Sequence, residues 1–142
     1  MIILDTNVLS ELMRPAPGAQ VVSWVSKQSA AELFTTSITE AEIFYGIKLL
    51  ARGKRRDKLR AAAEAMFEED FAGRIFGFDS DAARAFSRIA ARRRALGKPI
   101  SHPDAQIAAI AHLRGAALAT HNVADFANCE IRVIDPWSES SS

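Results

Sequence analysis

The sequence predicts a three-layer α/β/α domain around a central parallel sheet of about five strands. Three observations predict it. Short apolar runs, each reading as a buried strand, alternate with longer stretches of helical periodicity. Helix-start and helix-stop residues punctuate the boundaries between them. At 142 residues and 49% hydrophobic content, the chain has the size and composition of one domain with a real core. Strands that alternate with helices pair in parallel and are covered on both faces. No internal repeat, second domain or low-complexity linker interrupts the pattern, so residues 1–137 are expected to form one domain.

Met1 to Leu4 is the first strand. Asp5-Thr6-Asn7 supplies helix-start chemistry, and Val8, Leu9, Leu12 and Met13 follow at helical spacing. Pro15-Ala16-Pro17-Gly18 stops that helix, and a second runs from Ala19 to Lys27. Glu32 to Thr36 is the second strand. Ser37 is expected to cap a helix reaching about Ala51, and Gly53 precedes another from Lys54 to Glu69. Arg74 to Phe78 is the third strand. Asp79 then caps a helix that ends near Gly97. Ser101-His102-Pro103-Asp104 opens a further helix that stops at Gly115. Ala116 to Thr120 and Ile131 to Ile134 are the last two strands, and Ser138 to Ser142 is expected to be disordered.

Composition excludes several classes. No apolar stretch approaches the ~20 residues of a membrane span, and no basic segment precedes Ile2-Ile3-Leu4, so a cytoplasmic protein is expected. A single cysteine, Cys129, rules out an internal disulfide framework or thiolate metal site and reads as a small packed residue. Net charge is only +1, but Arg52, Lys54, Arg55, Arg56, Lys58 and Arg60 form one basic cluster, and Arg88, Arg92, Arg93, Arg94 and Lys98 a second. Each cluster alone suits a solvated helix face; two on a small domain favour a polyanionic partner.

Open α/β sheets bind ligands beyond the carboxyl ends of their strands, where strand order reverses. Asp5 directly follows the first strand, Glu42 lies early in the helix after the second, Asp125 follows the fourth, and Asp104 opens the helix leading into the fourth. Each has a local alternative. Asp5 could cap a helix, Asp104 could complete a capping box with Ser101, and Asp125 could make a turn. Ser37 with Glu40 and Thr39 with Glu42 form two overlapping boxes. Carboxylates gathered at one place repel one another, and a cation relieves that repulsion. Oxygen ligands without cysteine suit Mg²⁺ or Mn²⁺, and Mg²⁺ held by few carboxylates and several waters suits phosphodiester chemistry.

The same residues carry a family resemblance. Leu4-Asp5-Thr6-Asn7-Val8-Leu9-Ser10-Glu11-Leu12 resembles the opening motif of PIN domains. Ile38-Thr39-Glu40-Ala41-Glu42-Ile43-Phe44-Tyr45-Gly46 is similar to their second motif, Pro103-Asp104-Ala105-Gln106-Ile107-Ala108-Ala109 to the third, and Thr120-His121-Asn122-Val123-Ala124-Asp125-Phe126 to the fourth. Asp135-Pro136-Trp137 resembles the usual ending. The group most resembled is the VapC toxins, in their FitB-like branch. The resemblance implies an acidic metal site at Asp5, Glu42, Asp104 and Asp125, with Thr6, Asn7, Thr120 and Asn122 as accessory polar residues. Residues two apart on a helix project about 200° apart, so Glu40 and Glu42 cannot both face one site; the family's glutamate lies four before the glycine, which selects Glu42. The chain departs from the family at His121, where many relatives carry Arg, and places His102 beside Asp104. Zinc binding by these two histidines is the lesser alternative to Mg²⁺ or Mn²⁺.

The implied activity is endoribonucleolytic hydrolysis by water with divalent metal, leaving a 5′-phosphate, with the two basic clusters holding the RNA backbone. The implied role is the toxin of a type II toxin–antitoxin pair. Its partners would be a small antitoxin that points a basic side chain at the acidic site, a second copy of the chain, and possible higher assemblies with the antitoxin. The antitoxin groove is expected along the first two helices, at Leu9, Leu12, Met13, Val21, Val22, Trp24 and Val25, and the homodimer along those helices and the one from Lys54. Loss of any of the four acids would favour the alternative, a non-catalytic PIN-like RNA- or protein-binding module, and none is lost. A phosphoacceptor signalling domain would need a Lys after the fifth strand, and none is present there.

Overall fold

A computed structural model describes residues 1–138. Strands β1 (Ile2–Leu4), β2 (Leu33–Thr36), β3 (Ile75–Phe76), β4 (Ala117–Ala119) and β5 (Val133–Ile134) make one five-stranded sheet in the order β3-β2-β1-β4-β5. Every pairing is parallel, with Ile3 opposite Phe34 on one side and Leu118 on the other. The helices are α1 (Thr6–Leu12), α2 (Ala19–Ser26), α3 (Ser37–Lys48), α4 (Lys54–Ala65), α5 (Ser80–Ala95) and α6 (His102–Arg114). The chain leaves β1 for β2 and β3 on one side and returns to β4 on the other. The reversal of strand order therefore falls between β1 and β4.

Side chains alternate across a strand, so each strand feeds two cores. Ile3 and Leu118 pack with Ile89, Ile107 and Ile110 of α5 and α6. Leu4, Ala119 and Leu33 pack with Val8, Val21, Ile43 and Phe67 on the face covered by α1 to α4. The buried central strands and their two helical layers give the expected three-layer domain.

Most element ends shift by one to three residues, where helices fray. The helix from Lys54 is α-helical only to Ala65, and a π turn takes Met66–Asp70. Asp79 caps α5 as expected, accepting from the Ala82 N–H, and Gly115 ends α6 in the left-handed region at φ 61°. The cap of α3 differs. Thr36, not Ser37, is the N-cap, and its Oγ1 accepts from the Thr39 N–H at 3.2 Å. Neither predicted box forms, because β2 runs straight into the helix with no intervening loop residue. Cys129 is buried in the α5–α6 core, as expected. Ser138 closes a turn onto the Asp135 carbonyl, while residues 139–142 of the expected disordered tail lie outside the described residues. No helix among the described residues is long and apolar enough to cross a membrane.

Candidate active site

At the carboxyl end of the sheet, β1 and β4 place Asp5 and Thr120 side by side. Asp5 sits at the N-cap position of α1, yet its side chain makes no capping bond to that helix. It is 4% exposed, and Thr120, fully buried, donates to Asp5 Oδ2 at 2.8 Å. Thr120 Oγ1 in turn accepts from Asn7 Nδ2 and from the Asn122 N–H, both at 3.1 Å. Asn7 Nδ2 also lies 3.5 Å from Asp5 Oδ2, and Asn7 Oδ1 accepts from the His121 N–H. Asn7, Thr120 and Asn122 therefore form one network that fixes a buried carboxylate across the strand-order reversal.

Glu42 enters from the second turn of α3. Its Oε1 accepts from the Thr6 hydroxyl at 2.7 Å, and that hydroxyl lies 3.0 Å from Thr39 Oγ1. Asp104 sits in the first turn of α6, its N–H bonded to Ser101 Oγ at 3.3 Å. Asp5, Glu42 and Asp104 border an open cleft of about 500 Å³ together with Thr6, Asn7 and Asn122. Three residues of the wall were not singled out from sequence: Ser10, Glu11 and Arg14. Their signal was present. Ser10 follows Thr6 by four and Glu11 follows Asn7 by four, so both continue the same helix face. Arg14 pairs with Glu11 at 3.1 Å, and Gly18 N–H donates to the same carboxylate. These bonds, the Gly18 amide first, hold the Glu11 carboxyl below its ordinary range.

Burial, more than anything else, pushes the Asp5 carboxyl up from 3.8 to about 6. The Thr120 hydroxyl and the Thr6 N–H work against that rise, and the negative charges of Asp104 and Glu42 add to it. Asp104 is raised as well, by burial first and then by repulsion from Asp125 and Glu42, against the Ser101 bond and the field of Arg93. Asp125 stands apart. It is exposed on a 3₁₀ turn, Val123–Phe126, outside the cleft wall, and reaches the site through its field on Asp104. Among the described residues no three acidic or histidine groups form a ready-made metal cage. All the donors are oxygen, two carboxyls are raised by crowding and burial, and the cleft is open. That set fits Mg²⁺ or Mn²⁺, ions that take one or two carboxylates and keep their waters, better than a caged ion. His102 stacks edge-on against Phe86, while His121 leans on Trp137 and lies 3.5 Å from Asp135, so the two rings do not converge.

The PIN-domain family model matches residues 2–130. The chain belongs to the PIN-domain family. It is 35% identical over 139 residues to Toxin FitB of Neisseria gonorrhoeae, covering 98% of this chain and 100% of that one. It is 36% identical over 137 residues to VapC ribonuclease Y4jK of Sinorhizobium fredii, covering 96% and 98%. Among solved structures, FitAB bound to an IR36 DNA fragment superposes with a TM-score of 0.92 at 35% identity, over 99% of this chain and 98% of that chain.

The basic clusters differ from the solvated faces expected of them. In the second basic cluster, Arg88 and Arg92 are paired with Glu130 at 3.1 and 3.2 Å, and Arg93 is buried; Arg94 and Lys98 stay exposed. In the first, Arg60 lies 3.8 Å from both Asp57 and Glu64, whereas Arg55 and Lys58 line a groove. Along α1 and α2, where the antitoxin groove is expected, the apolar side chains are covered to different degrees. Leu9 and Val21 are buried, Leu12, Met13, Trp24 and Val25 are half-buried against the core, and Val22 is 40% exposed. A largely apolar channel of about 750 Å³ lies between α1, α3 and α4, walled by Met13, Ile43, Ile47, Leu50 and Leu59. Thr6, Ser10, Arg14 and Glu42 line both channel and cleft, so the two are continuous.

Proposed function

We propose that this PIN domain, spanning residues 1–137, is a Mg²⁺- or Mn²⁺-dependent endoribonuclease and the toxin of a type II toxin–antitoxin pair. The supporting observation is the convergence of Asp5, Glu42 and Asp104 on one cleft at the strand-order reversal, in a chain whose PIN relatives include a named VapC ribonuclease. Asp5 and Asp104 are the principal metal ligands of this reading, with Glu42 and Asp125 completing the acidic set. A bound divalent ion would sharpen a water as nucleophile and neutralise charge building on the phosphoryl oxygens. The chain's own part is positional. Thr120 and Asn7 hold Asp5 in one orientation, Thr6 does the same for Glu42, and Asn122 and Arg14 at the rim offer donors to phosphate oxygens.

The antitoxin of this reading seats an apolar segment in the channel between α1, α3 and α4 and directs a basic side chain through its open end to the acids. The likeness to FitAB, solved bound to an IR36 DNA fragment, supports such an assembly. A homodimer would bury the exposed Tyr45 (65%) and Leu49 (69%) of α3, the two most exposed large apolar side chains among the described residues. The test is digestion of single-stranded RNA with Mn²⁺, with EDTA, and with an Asp104→Asn variant. Metal-dependent cleavage lost in that variant is expected; cleavage that survives both EDTA and the substitution overturns the proposal.

A further inference from the structure

The last turn of α5 carries three consecutive arginines, and they do three different things. Successive helical residues point about 100° apart, so Arg92 reaches Glu130, Arg94 is exposed, and Arg93 turns inward, 5% exposed. A guanidinium withdrawn from water normally takes a carboxylate with it, because an uncompensated buried charge is costly. Arg93 has no carboxylate at ion-pair distance among the described residues. Its partners are backbone carbonyls of two separate segments and, at 3.8 Å from Nη1, the Cys129 sulfur. Nε donates to Lys98 O at 2.7 Å, and Nη1 donates to Asp125 O at 2.6 Å and Ala127 O at 2.8 Å. Core packing alone would be met by Met or Leu at this site, without the desolvation of a charge. What the guanidinium adds is a rigid planar link between the Lys98 carbonyl, held by Nε, and the two carbonyls at the turn that bears Asp125, both held by Nη1.

We infer that Arg93 is a positioning residue of the acidic site: it clamps the main chain of Asp125 and so sets where that carboxylate stands relative to Asp104. This rests on the metal-dependent reading above. The fork gathers the Asp125 and Ala127 carbonyls on one side of the turn, leaving the Asp125 side chain exposed beside Asp104. Its positive charge also bears on Asp104, opposing the repulsion between the two acids. Lysine cannot replace it, because one ammonium cannot span carbonyls from residues 98, 125 and 127 as a planar fork does.

The experiment is a double-mutant cycle on Mn²⁺ affinity, measured by titration of the RNA-free full chain, so that the readout does not depend on cleavage. Arg93→Lys is expected to weaken Mn²⁺ binding by about tenfold, the scale of losing a residue that orients a metal ligand. Asp125→Ala is expected to weaken it by a similar factor, and the double variant no further, because Arg93 acts through Asp125. In RNA cleavage, Arg93→Lys should lower kcat with KM nearly unchanged. Affinity within twofold of wild type in a folded Arg93→Lys chain overturns the inference, and so do losses that multiply in the double variant. If neither Arg93→Lys nor Arg93→Gln gives a folded chain by circular dichroism, the residue is structural only and the inference also fails. A wild-type chain that binds no Mn²⁺ instead overturns the metal reading itself.

Discussion

Replacing Asp5 with Asn should stabilise the metal-free protein at neutral pH while abolishing its activity. The carboxyl ionises at 3.8 in the unfolded chain but only at about 6 in the fold. The folded state therefore binds the proton more tightly, and ionising Asp5 at pH 7 works against folding. The gap between those values, at about 1.4 kcal/mol per pH unit, amounts to about 3 kcal/mol. This cost is absent below 3.8, grows between 3.8 and about 6, and is fully present above that range. An Asn carries no such cost. Its carbonyl can still accept from Thr120, and its amide points donors into the field of Asp104 and Glu42. Allowing for imperfect rotamer fit, a gain of about 1–3 kcal/mol is expected at pH 7, or about 3–10 °C in Tm. At pH 5 the gain should fall to about half. Urea denaturation of both proteins in a chelator at pH 7 and pH 5 measures it. An Asp5→Asn variant less stable than wild type at pH 7, or a gap that widens toward pH 5, would refute the assignment of Asp5 as a buried, strained carboxylate. Mn²⁺ should reverse the ranking by stabilising wild type alone.

The same titration predicts that Mn²⁺ affinity falls by up to tenfold per pH unit below about 6, because proton and metal compete for Asp5; calorimetry from pH 5 to 8 checks this, and a flat profile counts against it. Thr120→Val removes the hydroxyl that donates to Asp5 and accepts from Asn7 and Asn122, so it should cost about 1–3 kcal/mol in urea melts and raise the Asp5 pKa further. Arg55→Ala with Lys58→Ala should raise KM for RNA with kcat kept, and reduce the salt dependence of binding by about two units of slope; an unchanged slope would place RNA elsewhere. Glu130→Gln, which frees the exposed Arg88 and Arg92, should change stability by less than about 1 kcal/mol in a thermal melt.

Much of the fold was legible in the sequence because it rests on local rules. Runs such as Ile2–Leu4 and Ala117–Ala119 had to be buried strands, Asp79 and Gly115 had to cap, and the alternation of elements implied a parallel sheet with two covered faces. Asp5 could be placed at a strand end for the same reason. The cap of α3 was misread because Ser37 and Thr36 are both good cap residues, and the choice turned on where β2 lost its pairing. Arg93 was read with its neighbours as a basic face because composition does not say which of three adjacent arginines turns inward.

The sequence by itself determined the elements, their order and the chemical identity of the site: oxygen donors, no thiols, and acids at the ends of strands. Only the tertiary structure decided how those donors are used. Strand order β3-β2-β1-β4-β5 brings residues 5 and 120 into hydrogen-bond contact across 115 positions of chain, and no local pattern encodes that meeting. It also set Asp125 outside the cleft wall, turned Leu9 and Val21 inward while leaving Val22 exposed, and opened the channel between α1, α3 and α4. Periodicity fixes which face of a helix is apolar, but burial depends on what packs against that face, and that is a property of the assembled layers alone.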